Sequence, residues 1–426
     1  MIERIKNILN KFNDITDYRI IENKKSSAEL YYVLDKLETN RLVDRTDYTV
    51  SVSKMYGDKL GIAQCGISLS YTDLDIENKI KEAISRTELS LNIPYEMPKG
   101  CVTKDKSDSN ILKENKTEIA LKVADAIYAS KKYKDGWINS AEIFVNEKET
   151  RLINSKGADN KYVSADLFIE IIPTWKGEKE EVEIYFSLER GFIDYNEITS
   201  KVDELLENAK ARSKAINLPK DLKNINVIFG AEMISNICDY LKNNLSYSSK
   251  FMHTNVLEVG EDLSKDNNVK LNLILKPIIT ELPSSSPFDM DGNILKEIKI
   301  IDNGKAVSLH GSSQFGQYLG IKNPTGSIPL LELECGKESF DDLKKEPYIY
   351  CVTFSSPQLD DYSGYYGGEI RLAYYFDGKN TYPVTGFSIS GNLKEDFTKL
   401  RLSKEQDTFN DYKGPKYLLV PNMNIN

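Results

Sequence analysis

"DYTVSVSKMYGDKLGIAQCGISLSYTDLDIENKIKEAISRTEL", residues Asp47 to Leu89, decides the fold class. Its first part reads as two strands folded back on each other about a Gly57-Asp58 turn. Its second part places Ile76, Ile80, Ala83 and Ile84 on one face of a helix. A hairpin followed directly by a helix calls for antiparallel pairing, and the rest of the first half keeps that rhythm. "MIERIKNILNKFNDI" spaces Ile2, Ile5, Ile8, Leu9 and Phe12 as a helical face, and "TEIALKVADAIYASKKY" does the same with Ile119, Val123, Ala126 and Ile127. "SAELYYVLD" is strand-like, and "AEIFVNEKETRLINSKG" reads as a strand or a hairpin. "KYVSADLFIEIIPTW" and "EEVEIYFSLERG" supply further strands, and "NEITSKVDELLENAKARSKA" is a long closing helix.

The stretch "INLPKDLKNIN" ends that helix, and Pro219 prevents its continuation. We therefore expect two domains, an α+β domain over residues 1–218 and a mostly β domain over 219–426 with a curved or barrel-like sheet. Strand runs in the second half, "VKLNLILKPIIT" among them, meet turn signals at Asp302-Asn303-Gly304 and Asp377-Gly378. Its helices are expected over Ala231 to Leu245 and near Ser339 to Lys345. The class is α+β, and not a doubly wound parallel sheet.

The chain has 426 residues, a formal net charge of −9 and 25 tyrosines against two tryptophans. No block of Lys and Arg stands clear of acids, so direct nucleic-acid binding is not expected. No run approaches the roughly 18 apolar residues of a membrane span, and the mixed charges of the N-terminus are unlike a signal peptide, so the protein is expected in the cytoplasm with no membrane partner. Cys65, Cys101, Cys238, Cys335 and Cys351 lie far apart and are odd in number, which predicts reduced and mostly buried thiols. His253 and His310 are the only histidines. No phosphate-binding glycine loop and no G-x-S-x-G elbow is present.

Three stretches remain as candidates. "ELPSSSPFDMDGN" is a polar loop in which Ser286, Phe288, Asp289 and Gly292 either build a turn or face a ligand. In "LDDYSGYYGGEIRLAYYFDG", Asp361, Tyr362, Ser363 and Gly364 stand beside paired glycines that serve either sheet curvature or the close passage of an extended peptide. "NVIFGAEMISNICDYL", residues 226–241, is a strand, a break and a helix with a single carboxylate, Glu232, in its first turn. The helix dipole is expected to stabilise that charge by roughly 0.3–1 kcal/mol. The same helix is expected to pack through Ile234, Ile237, Cys238 and Leu241.

"INSKG", "SSPFDMDGN" with "IIDNGKAVSLHGSSQFGQYLGIKNPTG", "DDYSGYYGGEIRLAYYFDGKNTYPVTGFSISGNL" and "YLLVPNMNI", in this order, resemble the TldD/PmbA family, also called modulator of DNA gyrase. The resemblance spans nearly the whole chain, with its specific motifs in the second half. It implies a cytoplasmic metallopeptidase system of two branches. The TldD-like branch carries His-Glu-x-x-x-His and a late Cys that hold a metal, whereas here Ala231 and Asn236 fall at the histidine positions and only Glu232 remains. The resemblance is thus to the PmbA or TldE branch, which implies no catalytic residue, metal or other cofactor in this chain. The implied partners are a TldD-like metallopeptidase subunit, or a second copy in a homodimer, together with an unfolded peptide. Ser286, Phe288, Asp289, Gly292, Asp361, Tyr362, Ser363 and Gly364 would line or support the peptide groove. Two alternatives stay open: a self-sufficient peptidase built from Cys335 or Cys351 with His310, and a binding protein acting on gyrase or another large partner.

Overall fold

A computed structural model describes residues 1–178, 180–219, 221–265 and 267–426. The N-terminal half is built on one nine-stranded sheet. Its path runs Leu91–Asn92, Lys59–Ile67, Lys36–Tyr56, Asp17–Val33, Gly136–Asn154, Asp159–Lys176, Val102–Lys106, with Glu181–Glu183 and Phe186–Arg190 also pairing with Asp159–Lys176. The expected hairpin pairs Tyr56 with Lys59 across Gly57-Asp58, where Gly57 takes the positive φ that a tight turn requires.

Alternation explains how this sheet is covered. Ile20 and Leu30 share one face with their cross-strand partners Ile153 and Ile143. Helices α1 (Ile2–Leu9), α2 (Asp73–Arg86), α3 (Lys116–Tyr128) and α4 (Tyr195–Ser213) pack there. The faces expected for α1, α2 and α3 are the ones buried, with Phe12 half-buried just beyond α1. Ile21 and its partner Leu152 point to the opposite face.

One strand reading is decided and another needs correction. Of the two readings of "AEIFVNEKETRLINSKG" the strand holds and the hairpin does not: Gly136–Asn154 is one continuous strand, and the turn comes only at Ser155–Gly157. Its charged middle survives because Glu149 reaches Lys24 at 2.9 Å and Lys161 at 2.7 Å on the two neighbouring strands. "VKLNLILKPIIT" is strand only over Leu273–Lys276.

In the C-terminal half five strands close on themselves. Asn224–Phe229 pairs in parallel with Tyr348–Phe354, which pairs antiparallel with Tyr365–Phe376. That strand meets Phe387–Asn392, which meets Leu418–Ile425, and Leu418–Ile425 returns to Asn224–Phe229. The result is a closed five-stranded barrel, the barrel-like sheet expected from sequence. A second, six-stranded sheet runs from Lys305–Ala306 through Ile298–Asp302, Leu273–Lys276, Leu330–Leu333 and Tyr412–Pro415 to Gln406–Phe409. Helix α5 (Ala231–Asn244) shares a single apolar core with both, through barrel residues such as Phe229 and Ile349 and sheet residues such as Leu273 and Leu331. Short helices lie at Tyr247–Met252, Ser313–Tyr318, Phe340–Leu343 and Leu393–Asp396. Ile216–Asn217 already pairs with Thr381–Thr385, so the chain joins the second half's sheet just before Pro219. No helix among the described residues is long and apolar enough to cross a membrane.

Candidate functional site

Helix α5 starts directly from the buried end of a barrel strand. Gly230 is its extended N-cap and offers no side-chain cap, while Met233, Ile234, Ile237, Cys238 and Leu241 bury the apolar face. Glu232 is left on the open side of the first turn, at the wall of a cleft of about 500 Å³ between the two halves. The other walls come from Ile184–Arg190, from Glu204 and Leu205 of α4, from Tyr350–Phe354, and from the hairpin that carries Asp407–Asn410, Lys416 and Tyr417. Glu232 has no hydrogen-bond or ion-pair partner among the described residues. Its side chain stays open to solvent at the cleft mouth, yet the crowding walls desolvate the carboxyl and raise its pKa above the usual glutamate range. The expected dipole stabilisation of the charge is therefore outweighed by desolvation.

The donors needed for the metal that the resemblance attributes to the other branch do not fit here. A zinc site takes three or four N, S or O ligands, and Ala231 supplies none. No group of three His, Cys, Asp or Glu side chains converges among the described residues.

The Ser-Pro-Phe-Asp loop lies elsewhere, wedged between the halves. Phe288 is 2% exposed and packs with Ile21, Leu152, Ala158 and Tyr162, on the face of the N-terminal sheet opposite the helices. Ser286 Oγ donates to the Phe288 carbonyl at 2.6 Å. Asp289, 5% exposed, holds the loop together: its Oδ1 accepts from the backbone N–H groups of Asp291, Gly292 and Asn293, each at 3.0 Å. Its Oδ2 accepts from Asn293 Nδ2 and the Ser327 N–H, each at 2.9 Å. Gly292 has φ +97°, and a Cβ there would sit 3.1 Å from Leu152 Cδ2, so both conformation and space call for glycine. Arg19 clasps the loop from the other half through Asp291 at 2.9 Å. Burial and the neighbouring Asp289 raise the Asp291 pKa, and the Arg19 guanidinium opposes them.

An Asp289→Asn variant turns the Oδ2 acceptor into a donor facing two donors. It is expected to cost about 1–3 kcal/mol in urea unfolding, the usual penalty for unsatisfied buried polar groups.

Asp361 to Gly364 form a surface turn at the far end of α5. Asp360 Oδ1 accepts from the Ser363 N–H and Oγ, each at 2.6 Å, and Asn244 Nδ2 donates to the Asp361 carbonyl at 3.1 Å. Tyr362 is 58% exposed, and a Cβ at Gly364 would sit 3.4 Å from the Tyr240 hydroxyl. The length of α5 puts roughly 20 Å between this turn and Glu232. The three stretches singled out from sequence are thus separate, and only the start of α5, Glu232 with Gly230, Ala231 and Met233, lines the cleft. The remaining lining residues carried no local signal, because they come from four segments brought together only by the fold.

No Cys–His pair forms among the described residues. Cys351 and Cys238 are buried, and desolvation raises both thiols far above their ordinary range; Cys65 is buried too, Cys335 half-buried and Cys101 exposed. His310 is 5% exposed, and its Nε2 lies 2.9 Å from the Lys242 carbonyl.

None of the curated proteins matches the chain. The domain described as PmbA/TldA metallopeptidase C-terminal domain matches residues 223–426. Among solved structures, TldE from Thermococcus kodakarensis superposes with a TM-score of 0.79 at 18% identity, over 100% of this chain and 99% of that one. A protein from Bacteroides thetaiotaomicron assigned as a modulator of DNA gyrase gives 0.79 at 16% identity, over 99% and 97% of the two chains. Another so assigned, from Thermotoga maritima, gives 0.77 at 16% identity over 100% of both. At these identities the superpositions establish a shared fold over the full length. The match carries the lineage of the second half: residues 223–426 form a C-terminal domain of the TldD/PmbA type.

Proposed function

We propose that this chain is the PmbA/TldE-like subunit of a TldD-type metallopeptidase system, and that it shapes a peptide-binding groove without supplying the hydrolytic centre. The observation that supports this most is the start of α5. The helix keeps its apolar packing and a cleft beside it, but at the positions of His-Glu-x-x-x-His it offers one carboxylate flanked by Ala231 and Asn236. A side chain ending in a methyl group donates nothing to a metal, so peptide-bond hydrolysis falls to a partner that carries the full motif. In this reading Ser286, Phe288, Asp289 and Gly292 support the groove by locking the two halves together, and Asp361, Tyr362, Ser363 and Gly364 present a surface turn. The division into residues 1–218 and 219–426 belongs to the same reading.

The test is metal analysis and peptide hydrolysis on the purified chain, alone and mixed with a family member bearing His-Glu-x-x-x-His. Alone, the chain is expected to hold no stoichiometric zinc and to cleave no unfolded peptide; activity is expected in the mixture. One tightly held zinc per chain, or cleavage by this chain alone, would overturn the proposal.

A further inference from the structure

Residues 93–101 form neither helix nor strand, yet they tie the two halves together. The ends of this strap belong to the first half: Leu91 pairs with Gly61, and the Gly100 N–H donates to the Lys156 carbonyl at 3.1 Å. Its middle is held by the second half. Gln317, on the short helix Ser313–Tyr318, accepts from the Glu96 N–H through Oε1 at 2.9 Å and donates from Nε2 to the Glu96 carbonyl at 2.8 Å. One side-chain amide thus satisfies both backbone groups of Glu96, as a paired residue on a neighbouring strand would. The Tyr318 hydroxyl donates to the Ile93 carbonyl at 2.5 Å. The short helix is itself fixed, since Ser313 Oγ accepts from Asn293 Nδ2 at 2.8 Å and the Tyr318 ring lies 5.1 Å from that of Phe251.

The strap is held more lightly than the elements it joins. Ile93 is 55% exposed and Glu96 is exposed, while Tyr95 and Met97 are only half-buried over a cavity of about 20 Å³ lined by Arg19, Ser51 and Ile62. A segment with few buried apolar contacts and solvent-accessible hydrogen bonds is the kind that opens locally while the rest of the fold stays intact.

Strand order places the strap, the Phe288 contact and the cleft in a row. The strap lies over Ser51 and Ile62, on Lys36–Tyr56 and Lys59–Ile67. Phe288 packs on Ile21, Leu152 and Tyr162, on the next three strands of the sheet. The cleft opens at Phe186–Arg190, beyond the last of them. Beside the cleft the halves also touch through hydrogen bonds that a small tilt would stretch, from the Gly191 N–H to the Glu281 carbonyl at 2.8 Å and from the Tyr374 hydroxyl to Asn208 Oδ1 at 3.1 Å. Strap and cleft therefore flank the buried Phe288 contact on opposite sides.

We propose that residues 93–101 are a latch whose release from Gln317 lets the two halves tilt about the Phe288 contact and changes the width of the cleft beside Glu232. Rigid halves moving about a packed contact need only the lightly held link to open. The inference concerns how far apart the cleft walls stand and needs nothing of the groove reading.

The experiment reads latch and cleft separately in the full chain. Hydrogen exchange followed by mass spectrometry reports on residues 93–101. Spin labels on ketone-bearing residues introduced at Ser187 and Thr408, one on each wall, report the width of the cleft. Gln317→Ala is expected to speed exchange of the strap about tenfold or more, with an unchanged melting temperature, and to broaden the distribution of label distances. Glu96→Ala keeps the backbone groups that Gln317 binds and is expected to change neither readout. Tyr318→Phe removes a single hydroxyl and is expected to act in the same direction as Gln317→Ala to a smaller extent, which keeps the test open if Gln317→Ala folds poorly. A strap that exchanges faster while the label distances stay those of the parent overturns the proposal. So does strap exchange that neither variant alters.

Discussion

Replacing Phe288 by alanine is expected to lower the stability of the chain by about 3–5 kcal/mol, the cost of deleting a fully buried aromatic side chain. The ring belongs to a loop of the second half, yet its neighbours Ile21, Leu152, Ala158 and Tyr162 all belong to the first. Deleting it empties an apolar contact between the halves, so the urea midpoint should fall for both together. Met290→Ala, two residues away and 56% exposed, serves as the control and should change stability by no more than about 0.5 kcal/mol. The pair also separates two roles for the loop. A ring that touched peptide directly would leave stability intact when removed and weaken binding instead.

The second large effect is a pH dependence centred on His310. A carbonyl can only accept, so the Nε2 facing Lys242 O carries the imidazole proton, and Nδ1 is left buried with no partner. Protonation would put a charge and an unmatched N–H into that site. Burial accordingly depresses the pKa from 6.5 to about 4. The sign follows directly. Between these values the unfolded chain takes up a proton that the folded chain refuses, so the stabilisation is complete above pH 6.5 and is lost as the pH falls toward 4. A shift of this size is worth about 3 kcal/mol. His310→Gln keeps a donor for the Lys242 carbonyl and removes the titration. Urea unfolding at pH 7 and at pH 4 should show the variant losing about 3 kcal/mol less than the parent over that interval; equal losses would place the acid sensitivity in other groups.

The parts of the fold that were legible in sequence are those set by local chemistry. Ile76, Ile80, Ala83 and Ile84 announced α2 because only a helix brings them to one face, and Gly57 and the Asn303-Gly304 pair announced their turns because few residues accept a positive φ. The charged centre of Gly136–Asn154 left a hairpin open beside the strand that forms, since its acids are matched by lysines on neighbouring strands that no local window contains. The same holds for the cleft. Glu232 could be picked out because a helix start is a local event, whereas the place of Phe186–Arg190 in the cleft wall is a property of sheet order. Phe288 and Asp289 were legible as turn and anchor residues, but which half Phe288 anchors to was not.

Barrel closure has a kinetic consequence. Asn224 pairs with Asn424, so the seam of the barrel forms only when segments roughly two hundred residues apart in sequence meet. Until then the hydrophobic flank of α5 has no completed wall against which to settle. Refolding should therefore be slow beside that of a helical bundle of similar size, and the interval before closure is when this polypeptide is most exposed to aggregation.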